Sequence, residues 1–120
     1  MLLAAGFFLP PQAAGATYFW DANGATAGVT DGSGTWNTTA GNTVWWDGFA
    51  NSVWSNSGPN DAVFGSSNGA AGTVTIGSAI TVGNLTFNPA TSGNYVLQGA
   101  ANVAANTITL ASPEIGRAHV

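Results

Sequence analysis

Residues 73 to 110 carry one short pattern twice. Thr73 to Phe87 reads TVTIGSAITVGNLTF, and Tyr95 to Leu110 reads YVLQGAANVAANTITL. A shift of 22 residues sets Val74 on Val96, Gly77 on Gly99, Ala79 on Ala101 and Asn84 on Asn106. One inserted residue then sets Leu85-Thr86-Phe87 on Ile108-Thr109-Leu110. A strand-rich period of roughly 20 to 30 residues marks a stacked β-solenoid. One coil of such a stack cannot bury its own apolar face and relies on neighbours above and below. The pattern therefore predicts scaffold or surface material before it predicts an enzyme.

The local pattern agrees. Tyr18 to Trp20, Thr43 to Trp46, Ala62 to Phe64, Thr73 to Ile76, Ile80 to Val82, Leu85 to Phe87, Tyr95 to Leu97 and Thr107 to Leu110 are short and rich in β-branched or aromatic residues. Gly, Asn, Asp, Ser or Pro separates most of them. No helical periodicity follows residue 16. Alternation puts Val74 and Ile76 on one face of their strand, and pairs Leu85 with Phe87 and Ile108 with Leu110 in the same way. Stacking in register would align these residues inside and set Asn84 above Asn106 in a corner ladder. The expected fold is an all-β solenoid, with a small β-sandwich as the alternative.

Composition narrows the partners. One Lys or Arg stands against five Asp or Glu, for a net charge of −4. Phosphate neutralisation needs a basic footprint, so nucleic acid is excluded as a conventional partner. Cysteine is absent, which removes disulfides and thiolate metal sites. Five Trp, two Tyr and six Phe with 45% hydrophobic residues argue for an ordered chain.

The two ends read differently from the middle. Leu2 to Leu9 is apolar, Pro10-Pro11 follows, and Ala14-Gly15-Ala16 is an A-x-A site. This is the plan of a secretory signal peptide over residues 1–16, with cleavage after Ala16. At the other end, 114–120 (EIGRAHV) holds the only Glu, Arg and His. One reverse translation of it resembles a common short-read sequencing adapter, so these residues are expected to be non-native. The natural chain is then expected to continue from about Pro113.

All five Trp fall within residues 17–60, which are expected to form a capping region; 61–113 are expected to form the repeat coils. Trp20-Asp21, Gly34-Thr35-Trp36-Asn37, Trp45-Trp46-Asp47, Val53-Trp54-Ser55, Asn60-Asp61-Ala62-Val63-Phe64-Gly65, Gly72-Thr73-Val74-Thr75 and Ile80-Thr81-Val82-Gly83-Asn84-Leu85-Thr86-Phe87 together resemble the autotransporter-associated β-strand repeat family of bacterial surface proteins. The resemblance covers about 90 residues. It implies a right-handed parallel β-helix passenger, exported and displayed on or released from the cell, that stacks on downstream coils of its own chain. Adhesion, matrix formation or surface display is the function it implies, with extracellular glycans or surface proteins as partners.

The acids outside the tail are Asp21, Asp31, Asp47 and Asp61. A glycosidase needs an opposed carboxylate pair, but Asp31-Gly32 and Asp47-Gly48 are turn dipeptides. A lyase or serine nucleophile needs a base, and none remains once the tail is set aside. Asp21-x-Asn23-Gly24 has the start of a calcium loop, but Ala25 and the lack of a closing Glu break it. No catalytic residue, metal or cofactor is therefore expected. Trp45, Trp46 and Trp54 are the candidates for stacking on glycans, and adjacency on a strand points one of Trp45 and Trp46 outward. The competing role for the Trp residues is to close the open end of the stack. A carbohydrate-binding module, or the amino-terminal part of a β-helix glycan-processing enzyme, are the alternatives to the scaffold.

Overall fold

The computed structural model describes residues 15–57, 59–100 and 108–110. The signal-peptide run, Asn106 of the expected ladder and the 114–120 tail lie outside the described residues, apart from Gly15 and Ala16. Among the described residues the fold is all-β, without a helix. Its strands are β1 (Thr17–Trp20), β2 (Gly34–Trp36), β3 (Trp45–Trp46), β4 (Asn51–Ser52), β5 (Asp61–Phe64), β6 (Thr73–Ile76), β7 (Ile80–Val82), β8 (Leu85–Phe87), β9 (Val96–Gly99) and β10 (Ile108–Leu110).

Pairing is parallel along most of the chain. β1, β5 and β8 lie side by side, as do β2, β6 and β9, and β7 pairs with β10. Three strands in sequence, β5, β6 and β7, are thus followed by β8, β9 and β10 on the same three sheets in the same order. β1 and β2 lie on the other side of β5 and β6. The exception is the pair β3–β4. It is antiparallel, and β3 joins β1 antiparallel through Phe19↔Trp46 and Trp20↔Trp45. The Trp-rich stretch therefore supplies two strands to the parallel sheets and a hairpin across the free side of β1.

The register corrects the sequence alignment. Val74 pairs with Leu97 and Ala62 with Leu85, an offset of 23 residues, where the aligned letters set Val74 on Val96. A one-residue slip turns a strand over, and burial decides the matter: Leu97 is half-buried and Val96 is 51% exposed. Residues 108–110 also pair with β7, Ile108↔Ile80 and Leu110↔Val82, and do not sit on Leu85-Thr86-Phe87.

Inward residues then form columns. Trp20 and Phe64 are buried beside each other, and Phe87 stacks on Phe64 with ring centroids 5.2 Å apart and planes 10° apart. Val74, Ile76, Ile80 and Val82 fill the other sides. Leu85 and Phe87 face the same way as Ala62 and Phe64, yet Phe87 is 51% exposed. No described strand lies beyond β8, so that ring has a neighbour on one side only.

Corners also stack. Gly65, at φ +97°, is packed against the carbonyl of Asn88, a place and a conformation that favour glycine. Asp61 Oδ1 accepts from the N–H and side chain of Asn84 at 2.9 and 3.2 Å. Ser67 N–H donates to Pro89 O at 3.1 Å, and Thr91 N–H to Gly69 O at 2.9 Å.

Candidate functional site

Two features stand out when the side chains are followed: the aromatic end of the molecule and a polar bracket across its corners.

At the aromatic end, Trp20, Trp36, Trp45 and Trp54 are all buried. Trp45 has its centroid 5.0 Å from Trp36, 4.9 Å from Trp54 and 5.3 Å from Trp20. Gly34 makes room, since a Cβ there would come within 2.8 Å of the Trp20 ring. Trp20 Nε1 donates to Gly32 O at 2.9 Å, and Trp54 Nε1 reaches Asn56 Oδ1 and Thr81 O at 3.2 and 3.3 Å. The indole N–H groups of Trp36 and Trp45 are buried without a hydrogen-bond partner among the described residues. Burying one such ring gains on the order of 5 kcal/mol from its apolar area. An unpaired N–H costs about 1–3 kcal/mol, so the cluster remains favourable as packing.

These placements bear directly on the glycan-stacking residues. Trp45 is 0% and Trp54 1% exposed, both inside the cluster, so neither ring offers a face to a ligand. Trp46 lies on the opposite face of β3 and is half-buried. Phe19, directly across from it, is 38% exposed. Sequence reasoning missed Phe19; its alternation with inward Tyr18 and Trp20 was the available signal.

The rest of this end is closed by side chains. Asn42 Nδ2 donates to Thr35 O on the outer edge of β2 at 2.9 Å. Asn56 accepts from Thr81 N–H at 2.8 Å and donates to Ala79 O at 3.0 Å, so it takes the place of a strand beside β7. Both amides do for an exposed strand edge what a neighbouring strand would do. Ala16, the last residue of the expected signal peptide, donates to Asn60 Oδ1 and accepts from Asp61 N–H, each at 2.9 Å.

The acids are engaged in turns and corners. Asp21 accepts from the N–H groups of Asn23 and Thr30 and from Asn51 Nδ2, at 3.1, 3.0 and 2.8 Å. Its oxygens face hydrogen-bond donors. Asp47 accepts from Phe49 and Ala50 N–H, each at 2.8 Å. The Ala50 bond and then the Phe49 bond hold its carboxyl below the usual carboxylate range.

Asp31 does more. It leaves the β1–β2 connection, and its carboxylate accepts from Ser66 and Asn68 N–H in the β5–β6 connection, at 3.1 and 2.9 Å. It also accepts from the Tyr95 hydroxyl, after β8, at 2.6 Å. Tyr95 Oη in turn accepts from Gly32 N–H at 3.1 Å. One carboxylate thus ties three successive layers at one corner. Burial pushes its pKa up, but the bonds from Tyr95, Asn68 and Ser66 outweigh that and hold it below the usual range. Burial, and then donation to Asp31, push the Tyr95 hydroxyl well above its ordinary value.

Over 108 residues the chain is 44% identical to the adhesin BmaC autotransporter of Brucella suis biovar 1 (strain 1330). The match covers 86% of this chain and 3% of that relative's length. The chain is thus similar to a small part of an autotransporter adhesin. No family model and no solved structure matches it.

Proposed function

We propose that this chain is the closed, amino-terminal end of a right-handed parallel β-solenoid passenger of the autotransporter-associated repeat type. It is exported by bacteria through a signal peptide and serves as a non-catalytic scaffold in adhesion, matrix or surface display. The observation that carries the reading is the repeated order β5-β6-β7 and β8-β9-β10 on the same sheets, with β1 and β2 beneath them. The name of the adhesin relative supports surface display. The Trp cluster serves as the hydrophobic plug of the closed end, since terminal units of stacked proteins need a distinct cap.

The test is to extend the chain by appending a further copy of the β5-β6-β7 segment, residues 61–84, after Leu110. Amide exchange of β8, β9 and β10 is expected to slow when that repeat is present, because each strand gains a neighbour. Unchanged exchange on extension rules out the stacked reading.

A further inference from the structure

We infer that the outward strip Trp46–Phe19–Val63, which crosses three hydrogen-bonded strands at the closed end, binds neutral saccharides. Trp46 pairs directly with Phe19, and Phe19 with Val63. With strands about 4.8 Å apart, the strip is about 10 Å long, the reach of a disaccharide. Its ends are polar. Asn51, opposite Trp46, gives its Nδ2 to Asp21 and leaves its carbonyl oxygen for a hydroxyl. Thr86, opposite Val63, is exposed. Asp61 stands on the same face of β5 as Val63, with one oxygen engaged by Asn84.

Charge and size select the ligand. Outside Arg117 the chain has no Lys or Arg, and its net charge is −4. Phosphates, acidic polysaccharides and anionic lipid are repelled. A stable protein interface takes about 800 Å² per partner, far more than one half-buried indole, one phenyl ring and one valine expose. A sugar instead offers apolar C–H faces to the rings and hydroxyls to the amide, threonine and carboxylate at the rim. The β1–β3 ladder fixes the backbone that carries both rings, which lowers the ordering cost of binding. This gives the surface-display reading a ligand class, and rests on it only for where the ligand is met.

The experiment is a ¹H–¹⁵N titration of the 120-residue chain with neutral hexasaccharides of glucose, N-acetylglucosamine and mannose. The Trp46 indole resonance is identified by its loss in Trp46→Phe. At least one sugar is expected to shift it saturably while the Trp45 and Trp54 indoles stay in place. Affinity is expected to fall about tenfold in Trp46→Ala, the cost of truncating an aromatic anchor. Phe19→Thr, which keeps a strand-forming residue, is expected to weaken binding too and covers the case in which Trp46→Ala unfolds. No shift with any of the three sugars overturns the inference. So does equal affinity in the variants, or a strip that binds only phosphatidylcholine vesicles or a second copy of the chain. None of those results alters the amide-exchange outcome on which the scaffold reading depends.

Discussion

Removing the Asp31 carboxylate should loosen three layers at once. Asp31→Ala strips the acceptor from Ser66 N–H, Asn68 N–H and the Tyr95 hydroxyl. Asp31 is 6% exposed, so water does not readily replace it. Hydrogen bonds to a charged acceptor contribute about 1.5–3 kcal/mol each, and members of one network are not additive. The expected loss is about 3–5 kcal/mol, against a total stability of roughly 5–15 kcal/mol for a domain. Tyr95→Phe removes two bonds, the one donated to Asp31 and the one accepted from Gly32 N–H, and is expected to cost about 2–4 kcal/mol. Urea unfolding followed by Trp fluorescence reads both, because the buried indoles are exposed on unfolding. The double variant should lose less than the sum of the singles, since Tyr95 has no carboxylate to bind once Asp31 is gone. Amide exchange at Ser66 and Asn68 should accelerate in Asp31→Ala more than in Tyr95→Phe. Strict additivity, or a loss under about 0.5 kcal/mol in Asp31→Ala, would falsify the bracket as a device holding the layers together.

The same carboxylate gives a pH dependence. Its folded pKa lies below its unfolded value, so its stabilisation is complete above the unfolded value, near 3.9, and is lost as pH falls through the folded value. Wild type should therefore weaken below about pH 4 and Asp31→Ala much less so, as urea midpoints across acid pH will show. Gly65→Ala forces a Cβ into the Asn88 carbonyl at a positive φ and should cost more than about 1 kcal/mol, with faster exchange concentrated in β8. Asn42→Ala uncovers Thr35 O; a loss of about 1 kcal/mol and increased self-association by light scattering are expected. A chain beginning at Thr17 lacks both Ala16 bonds to Asn60 and Asp61, and should be about 1–2 kcal/mol less stable than one that keeps Gly15 and Ala16.

Much of the strand content is visible in the letters. β6, β7 and β8 have the bounds that alternation predicts, because β-branched runs there are bracketed by Gly, Ser or Asn. β2 and β4 escape that logic. Gly34-Thr35-Trp36 opens on a glycine that yields to the Trp20 ring, and Asn51-Ser52 is polar and held by the hairpin turn at Asp47. The register misleads because identical letters, Val74 with Val96, are not the residues that share the interior. Only burial distinguishes Leu97 from its neighbour. At the candidate site, alternation does place one of Trp45 and Trp46 outward. It says nothing of Trp54, whose burial depends on Trp36 and Trp45. The role of Asp31 is illegible for a related reason: its partner Tyr95 lies 64 residues away, and locally Asp31-Gly32 is a turn.

The hairpin over β1 and the amides of Asn42 and Asn56 give the molecule a direction. In the language of polymers, the edges of β1, β2 and β7 are blocked, and those of β8, β9 and β10 are open among the described residues. If the strands stack as proposed, a further layer can add only at β8, β9 and β10. On the stacked reading, amide protection is then expected to fall from the indole cluster toward the open edges of β8, β9 and β10.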